Sequence, residues 1–447
     1  MTFTDIALHV PDILLPSPSV DLTAWSVVAC DQYTSQPEYW RRAARRVGRR
    51  PSALKLILPE AFLGAADCDK RIAAITRAMR QYVAQGVLSH HGPGFVRVER
   101  RTSRGTIRRG LVAALDLDAY DFRARATSLI RASEETVPER LPPRAAIRRL
   151  ALVEVPHVMV LIDDPDMTVI EPLFRDRLPL LYDFDLMEHA GHLRGALVSD
   201  EAAIRRVARA LRALGAPAAQ RARYGVAGSR GALYAVGDGN HSLATAKVVW
   251  ESTRRRIRAP AARAAHPARY ALVELVNIHD PGLTFEPIHR LVRSVDADAL
   301  LARMKAYCEA RGSRCSHRFF ASRQALEQYL RRAARRPGQR IPFVAVRSHG
   351  VLEIDKPRHA LPAATLQAFL DVRRDSESGL DIDYIHGDET LRTLAARERA
   401  LGFLLPTIAK RDLFRTVVLD GALPRKTFSM GSADEKRFYL ECRRIVP

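Results

Sequence analysis

Short apolar runs alternate with stretches of helical period from one end of the chain to the other, and that alternation restricts the fold to the mixed α and β class (α+β). Residues 157–162, 233–236, 270–278 and 343–346 are rich in Val, Ile, Tyr and Phe and read as largely buried strands. Between them, residues 66–85 place Ile72, Ile75, Met79, Tyr82 and Val83 on one helical stripe. Ser199 stands where it would cap a second helix that carries Ile204, Val207 and Leu211, with Asp200 and Glu201 in its first turn to suit the dipole. The strict βαβ repetition and glycine fingerprint of a doubly wound dinucleotide fold are missing. A length of 447 residues suits two or three domains. Residues 253–268, basic and carrying Pro260 and Pro267, read as a loop or frayed helix end. The softer boundary lies near Val295, before a second α/β succession, which divides the chain into 1–295 and 296–447.

The formal charge of +21 suggests a polyanionic partner, nucleic acid or a membrane surface. Its make-up argues otherwise. Of 71 basic residues only 8 are lysine and 63 are arginine, the bias a GC-rich coding sequence writes onto solvated helix faces, and the basic runs at 41–50, 100–109, 254–258 and 331–340 lie far apart. Nucleic acid is therefore not the expected partner. Five cysteines without a CxxC pair indicate neither a disulfide framework nor a zinc ribbon, and no segment approaches the roughly 18 apolar residues of a membrane span. The expected setting is the cytoplasm.

The most informative segment is 233–247, LYAVGDGNHSLATAK. An apolar strand enters Gly237, Asp238, Gly239, Asn240, His241 and Ser242, then a helix carrying Leu243, Ala246, Val249 and Trp250. Two glycines at a strand-to-helix turn allow close approach of backbone to a ligand, and the free amides of the helix start suit phosphate. Asp238 can hold Mg2+, and Asn240 or His241 can donate to phosphate oxygens. The same residues also suit a plain tight turn.

This strand, turn and Ala-rich helix resemble the DUF 1015 family (domain of unknown function 1015), whose motif is Ala-Asp-Gly-His-His-Arg. Here Asn240 replaces the first His, His241 is kept, and Ser242 replaces the Arg. The box is also similar to the phosphate-binding box of the ParB and sulfiredoxin superfamily, which includes the free serine kinases. Further family segments stand in order at 27–35 (VVACDQYTS), 131–140 (RASEETVPER), 157–165 (HVMVLIDDP), 277–290 (NIHDPGLTFEPIHR) and 423–430 (LPRKTFSM). The resemblance implies a ParB/sulfiredoxin-like nucleotide-binding core with a second α/β C-terminal domain that returns a basic segment to the site. It also implies an ATP-dependent kinase (ADP being possible as donor) that uses Mg2+ to convert free L-serine, or a similar small hydroxyl compound, to O-phosphoserine. A ParB-like nucleotide-binding regulator or DNA-binding protein without catalysis is the alternative.

Phosphoryl transfer needs a metal carboxylate, cationic or amide donors, and a base near the acceptor hydroxyl. Asp31, after an apolar strand, can take the acceptor proton, hold the metal or only shape a turn. Arg131 and Arg140 are candidate phosphate clamps, with Glu134 and Glu135 as base and Glu134 beside Asp238 as metal ligand; a helix-capping role for Ser133 or Thr136 is the competing reading. Asp163 and Asp164 before Pro165 favour a turn, and Cys30 favours a buried strand position. His279, Asp280, Arg290, Arg425 and Lys426 are candidate substrate contacts. The spacing in 277–290 excludes an HExxH zinc helix, and neither a Gly-x-Ser-x-Gly elbow nor a P-loop occurs.

Overall fold

The computed structural model describes residues 1–34, 36–225, 231–345, 348–376 and 380–447, so Ser35 and Val346, which end two of the segments named above, lie outside the described residues. The chain forms two compact units. The first comprises residues 1–284, 413–422 and 430–447, and the second 285–412 and 423–429. The division thus falls about ten residues before Val295, because the strand Phe285–Arg293 pairs with Asp381–His386 and Leu401–Phe403 of the second unit.

The first unit is built on a mixed sheet. Its central strands lie in the order Ile107–Asp116, Tyr270–Asn277, Met159–Ile162, Tyr234–Asp238 and Ile130–Ala132. Tyr270–Asn277 is buried along its whole length, as is Met159–Ile162, which explains why both read as continuous apolar runs. The pleat sends Leu111, Ala113 and Val273 to one face, against Ile204, Val207 and Leu211 of the helix Glu201–Gly215 and Trp250 of the helix Asn240–Arg256. Val112 and Leu272 face the other way, toward Trp40 of Pro37–Val47 and Ile75 and Met79 of Cys68–Ala84.

Two local expectations change. Asp200, not Ser199, caps Glu201–Gly215, its carboxylate accepting the Ala203 N–H at 2.8 Å. Residues 253–268 are largely helical: Asn240–Arg256 runs on through the arginines, and Pro260 opens a short helix Pro260–Ala265, where its missing N–H costs nothing. In the second unit an antiparallel sheet packs Ala297–Glu309 and Pro362–Ser376 over Phe343 and Leu352, while Leu391 and Ala395 of Asp388–Glu398 meet Leu291 and Val344. Among the described residues no helix is long and apolar enough to cross a membrane.

The C-terminal segment is a strap laid through the first unit. The Ala29 N–H donates to Arg437 O and the Tyr439 N–H to Val27 O, both at 2.9 Å, Leu14 and Cys442 exchange two backbone hydrogen bonds, and Arg443–Arg444 pairs with Val153–Glu154. Buried ions fix it. The Arg437 guanidinium bonds Glu274, Glu441 (2.6 Å) and Pro156 O (3.2 Å), and Arg443 reaches Glu154 at 2.9 Å.

Burial pushes the Glu154 carboxyl up, but Arg443, Arg148 and the Leu272 N–H outweigh it and hold the group below the usual glutamate range. A carboxyl so held stabilises the fold above its unfolded value, about pH 4.3, and that contribution is lost as pH falls through the folded value. Glu154→Gln should therefore cost about 3 kcal/mol at pH 7 by taking the carboxylate from the buried Arg443 and the part-buried Arg148 guanidinium groups. The deficit against the parent should shrink below roughly pH 4. Urea denaturation from pH 3 to 7 measures both; a deficit independent of pH would refute the assignment.

Candidate functional site

The strand Tyr234–Asp238 is followed by Gly239, whose φ of +78° is open only to glycine at low cost, and the helix Asn240–Arg256 starts at once. A Cβ on Gly239 would lie 3.1 Å from Val158 Cα and 3.4 Å from His157 Cδ2, and one on Gly237 would lie 2.8 Å from Met430 Sδ. These glycines therefore seat the turn against the protein's own chain; room for a ligand is not what requires them.

Asp238 accepts the Gly239 N–H at 3.1 Å through Oδ1 and meets Lys436 Nζ at 3.2 Å through Oδ2. Both groups are nearly buried, with side-chain exposures of 16% and 8%. Asn240 Oδ1 is buried without a hydrogen-bond partner. His241 Nε2 accepts the Val137 N–H at 3.2 Å, so that nitrogen carries no proton. Ser242 completes the first helical turn, where the backbone N–H groups have no partner within the helix.

Asp31 lies beside this turn. Its Oδ1 accepts from Gln32 Nε2 at 3.0 Å and its Oδ2 lies 3.9 Å from His157 Nε2. Burial pushes the Asp31 carboxyl up, but the His157 ring, the Gln32 amide and the Lys436 ammonium outweigh it and hold the group below the ordinary carboxylate range. Asp31 is therefore an ionised carboxylate at neutral pH. His157 Nδ1 is 2.8 Å from Tyr439 Oη, which accepts the Cys30 N–H at 3.1 Å. Burial, followed by the charge of Asp31, raises the Cys30 thiol far above its usual value, so it is no nucleophile.

The segment 131–140 frames the same turn. Ile130–Ala132 runs parallel to Tyr234–Val236, the Ser133 hydroxyl bonds Val236 O, and continuing the register brings Glu134 abreast of Asp238. Glu134 is half-buried and Glu135 exposed. Ser133 caps no helix: Leu141–Arg149 begins later, at Arg140, which is exposed. Arg131 departs most from expectation. Its guanidinium is buried against Ser128 O at 3.0 Å and Val417 O at 3.5 Å, and burial lowers its pKa, so it braces the strand and does not face phosphate.

The sheet separates the remaining motif residues. Met159 stands opposite Asp238 in an antiparallel pair, so Ile162 and Asp163 lie at the far end of the strand, roughly 10–13 Å away at the usual rise. There His279 Nε2 meets Asp163 Oδ1 at 2.6 Å, and Asp280 accepts the Arg109 N–H at 3.1 Å and the Gly282 N–H at 2.7 Å. Neither His279 nor Asp280 joins the Asp238 turn. Asp164 forms the expected turn, accepting the Thr168 and Val169 N–H groups. Arg290, Arg425 and Lys426 belong to the second unit. Arg290 is wholly buried, bonded to Gln367 and Ile288 O at 2.7 Å and stacked 4.5 Å over Tyr384, which makes it a packing group. Lys426 Nζ lies 4.8 Å above the same ring, and Arg425 is half-buried.

His157, Lys436 and Tyr439 were not legible as site residues. The first opens a strand that reads as core, and the other two come near residues 30–31 only through pairing across about 400 residues of sequence. Among the described residues no group of three or more His, Cys, Asp or Glu is gathered to hold a metal ion.

The family profile described as "Protein of unknown function (DUF1015)" matches residues 13–373, a span that includes Asp31, His157 and Asp238 and stops before Lys436. Among curated proteins none matches the chain. Solved structures similar to it include a conserved hypothetical protein from Pyrococcus furiosus, at 10% identity over 74% of this chain and 90% of that one with a TM-score of 0.35. A free serine kinase variant in complex with ADP matches at 11% identity over 75% and 92% with a TM-score of 0.38. Free serine kinase in complex with AMP matches at 10% identity over 75% and 91% with a TM-score of 0.37.

Gly239→Ala must both hold a left-handed φ and push on the Val158 backbone, so it should destabilise the first unit by about 2–3 kcal/mol. Ala at Gly225, also at positive φ but with open space around its Cβ, should cost only about 1 kcal/mol. Equal losses in urea denaturation would refute the contact with residues 157–158.

Proposed function

The chain belongs to the DUF1015 family, and we propose that its first unit is a kinase on a ParB/sulfiredoxin-like core that transfers the γ-phosphoryl group of ATP to the hydroxyl of free L-serine or a similarly small acceptor. The observation that carries this reading is an ionised carboxylate, Asp31, within the field of a nearly buried ammonium, Lys436, which pairs with Asp238 just before Gly239 and the N-terminus of the helix Asn240–Arg256.

Each group has a task in phosphoryl transfer, which depends on position and charge more than on covalent steps. Asp31 accepts the proton of the attacking hydroxyl, for which it must be ionised beforehand. Lys436 faces the transferring phosphoryl oxygens as a point charge, and the first-turn amides of residues 240–242 with the Asn240 side chain hold the neighbouring phosphate. Asp238 and Glu134 fit a Mg2+ ion that would take its remaining ligands from phosphate and water. When bound, Mg2+ would neutralise phosphate charge. Glu135 and Arg140 stand at the exposed rim, and the excess of basic residues favours encounter with an anionic nucleotide.

With purified protein, ATP, Mg2+ and single amino acids, ADP and O-phosphoserine should accumulate together and depend on serine. Asp31→Asn should lower kcat by about 10²–10⁴-fold, and Lys436→Met by about 10²–10³-fold, with the fold retained by circular dichroism. Nucleotide turnover independent of any hydroxyl acceptor, or none at all, would sink this reading.

A further inference from the structure

The strap supplies a second group besides Lys436. Tyr439 is 1% exposed and His157 6%, and their polar atoms are 2.8 Å apart. The phenol has one proton to give. Its oxygen accepts the Cys30 N–H, and burial raises its pKa far above the ordinary tyrosine value, so it stays protonated. Two acceptors compete for that proton, His157 Nδ1 and the Cys30 sulfur. An imidazole nitrogen is much the stronger acceptor. His157 Nδ1 is then the unprotonated nitrogen, and the ring's N–H sits on Nε2, the atom 3.9 Å from Asp31 Oδ2.

We propose that Tyr439 is a positioning residue that fixes His157 in the Nε2–H tautomer, so that an N–H and not a lone pair faces the Asp31 carboxylate across 3.9 Å. The role in turnover rests on the kinase reading above, whereas the tautomer itself does not. The other groups around the ring do not supply this order: Cys30 offers a backbone N–H to Tyr439 and a neutral thiol, Lys436 is turned to Asp238, Arg437 donates to Pro156 O, and Gly239 presents backbone. The opposite tautomer would leave a bare Nε2 lone pair directed at a carboxylate, a repulsive contact beside a ring that is itself buried. An N–H in that place also keeps the carboxylate oriented between proton transfers, as an orienting partner does for a catalytic base.

The test reads proton position and turnover separately. Nitrogen-15 spectra of histidine-labelled protein, with the His157 signals assigned by their loss in His157→Gln, should show the Nε2–H tautomer in the parent. Tyr439→Phe, which keeps the ring and the fold of the strap, should shift those signals toward the other tautomer or a mixture. In the kinase assay Tyr439→Phe should lower kcat about tenfold, the size of one neutral hydrogen bond, with KM for ATP and serine within about twofold. His157→Gln, whose amide can offer an N–H at the same reach, should retain activity that His157→Ala loses. Adding Tyr439→Phe to His157→Gln should then change kcat little, because there is no tautomer left to fix. A parent His157 protonated on Nδ1, an unchanged tautomer in Tyr439→Phe, or a full tenfold loss in the Gln background would each overturn the proposal. Correct tautomers without serine phosphorylation by the parent would overturn the kinase reading alone.

Discussion

The buried guanidinium of Arg437 is the constraint on which the first unit depends. A cation 4% exposed is tolerable only with its donors met, and here Glu274 comes from the middle of the central sheet, Glu441 from the strap itself and Pro156 O from the approach to Met159–Ile162. Glu441 in turn accepts the Tyr182 hydroxyl. Removing any one partner would strand a charge in the interior, so the register of strap, sheet and approach segment is set together. Lys436, Arg437 and Tyr439 are near neighbours in sequence. Whatever fixes Arg437 therefore also sets where the ammonium and the phenol stand.

The antiparallel pairing of Met159–Ile162 with Tyr234–Asp238 then decides which polar residues can cooperate. One end of the pair gathers Asp31, His157, Asp238 and the helix start; the other gathers Asp163, His279, Tyr224 and Asp280. Both ends carry a His facing an Asp, yet they differ in setting. At the far end Asp163 is satisfied at close range by His279, Tyr224 and Arg223, whose bonds knit a strand end to the helix Pro217–Tyr224. At the near end Asp31 meets His157 only at 3.9 Å, and Asn240 Oδ1 has no partner. A closed network serves the fold, whereas loosely met charge at a helix N-terminus is what an anionic substrate can complete.

Much of the fold was legible because periodicity reports burial directly. The strands at 159–162, 234–238 and 270–277 and the helix stripe of Ile75, Met79 and Tyr82 follow from that. The Asp-Gly-Asn-His turn was legible as a strand-to-helix junction, but the cause of its glycines was not, since Val158 and Met430 are brought to them only by the fold. Arg131 shows the reverse error. Its place in a charged motif suggested an exposed clamp, while the parallel pairing of Ile130–Ala132 with Tyr234–Val236 turns its side chain toward interior carbonyls. Motif order along a chain says nothing of which end of a strand a residue occupies, and this is why His279 and Asp280 were placed with the wrong partners.

The arginine excess, which in sequence looks like decoration of solvated helices, also works inside the fold. Arg100, Arg108, Arg131, Arg290, Arg437 and Arg443 are all buried, and those whose contacts are resolved spread their guanidinium groups over carboxylates and backbone carbonyls in several directions at once. A planar fork with five donors can satisfy such divided acceptors; an ammonium on a flexible stem cannot hold them in fixed directions. Lys436 is the one lysine among the buried described residues, and it pairs with the Asp238 carboxylate just before a helix start. A compact, strongly hydrated charge is poorly suited to bracing an interior, but it suits a place where the counter-charge is exchanged, from a carboxylate to a phosphate and back. The chemistry of that one side chain separates the site from the scaffold that presents it.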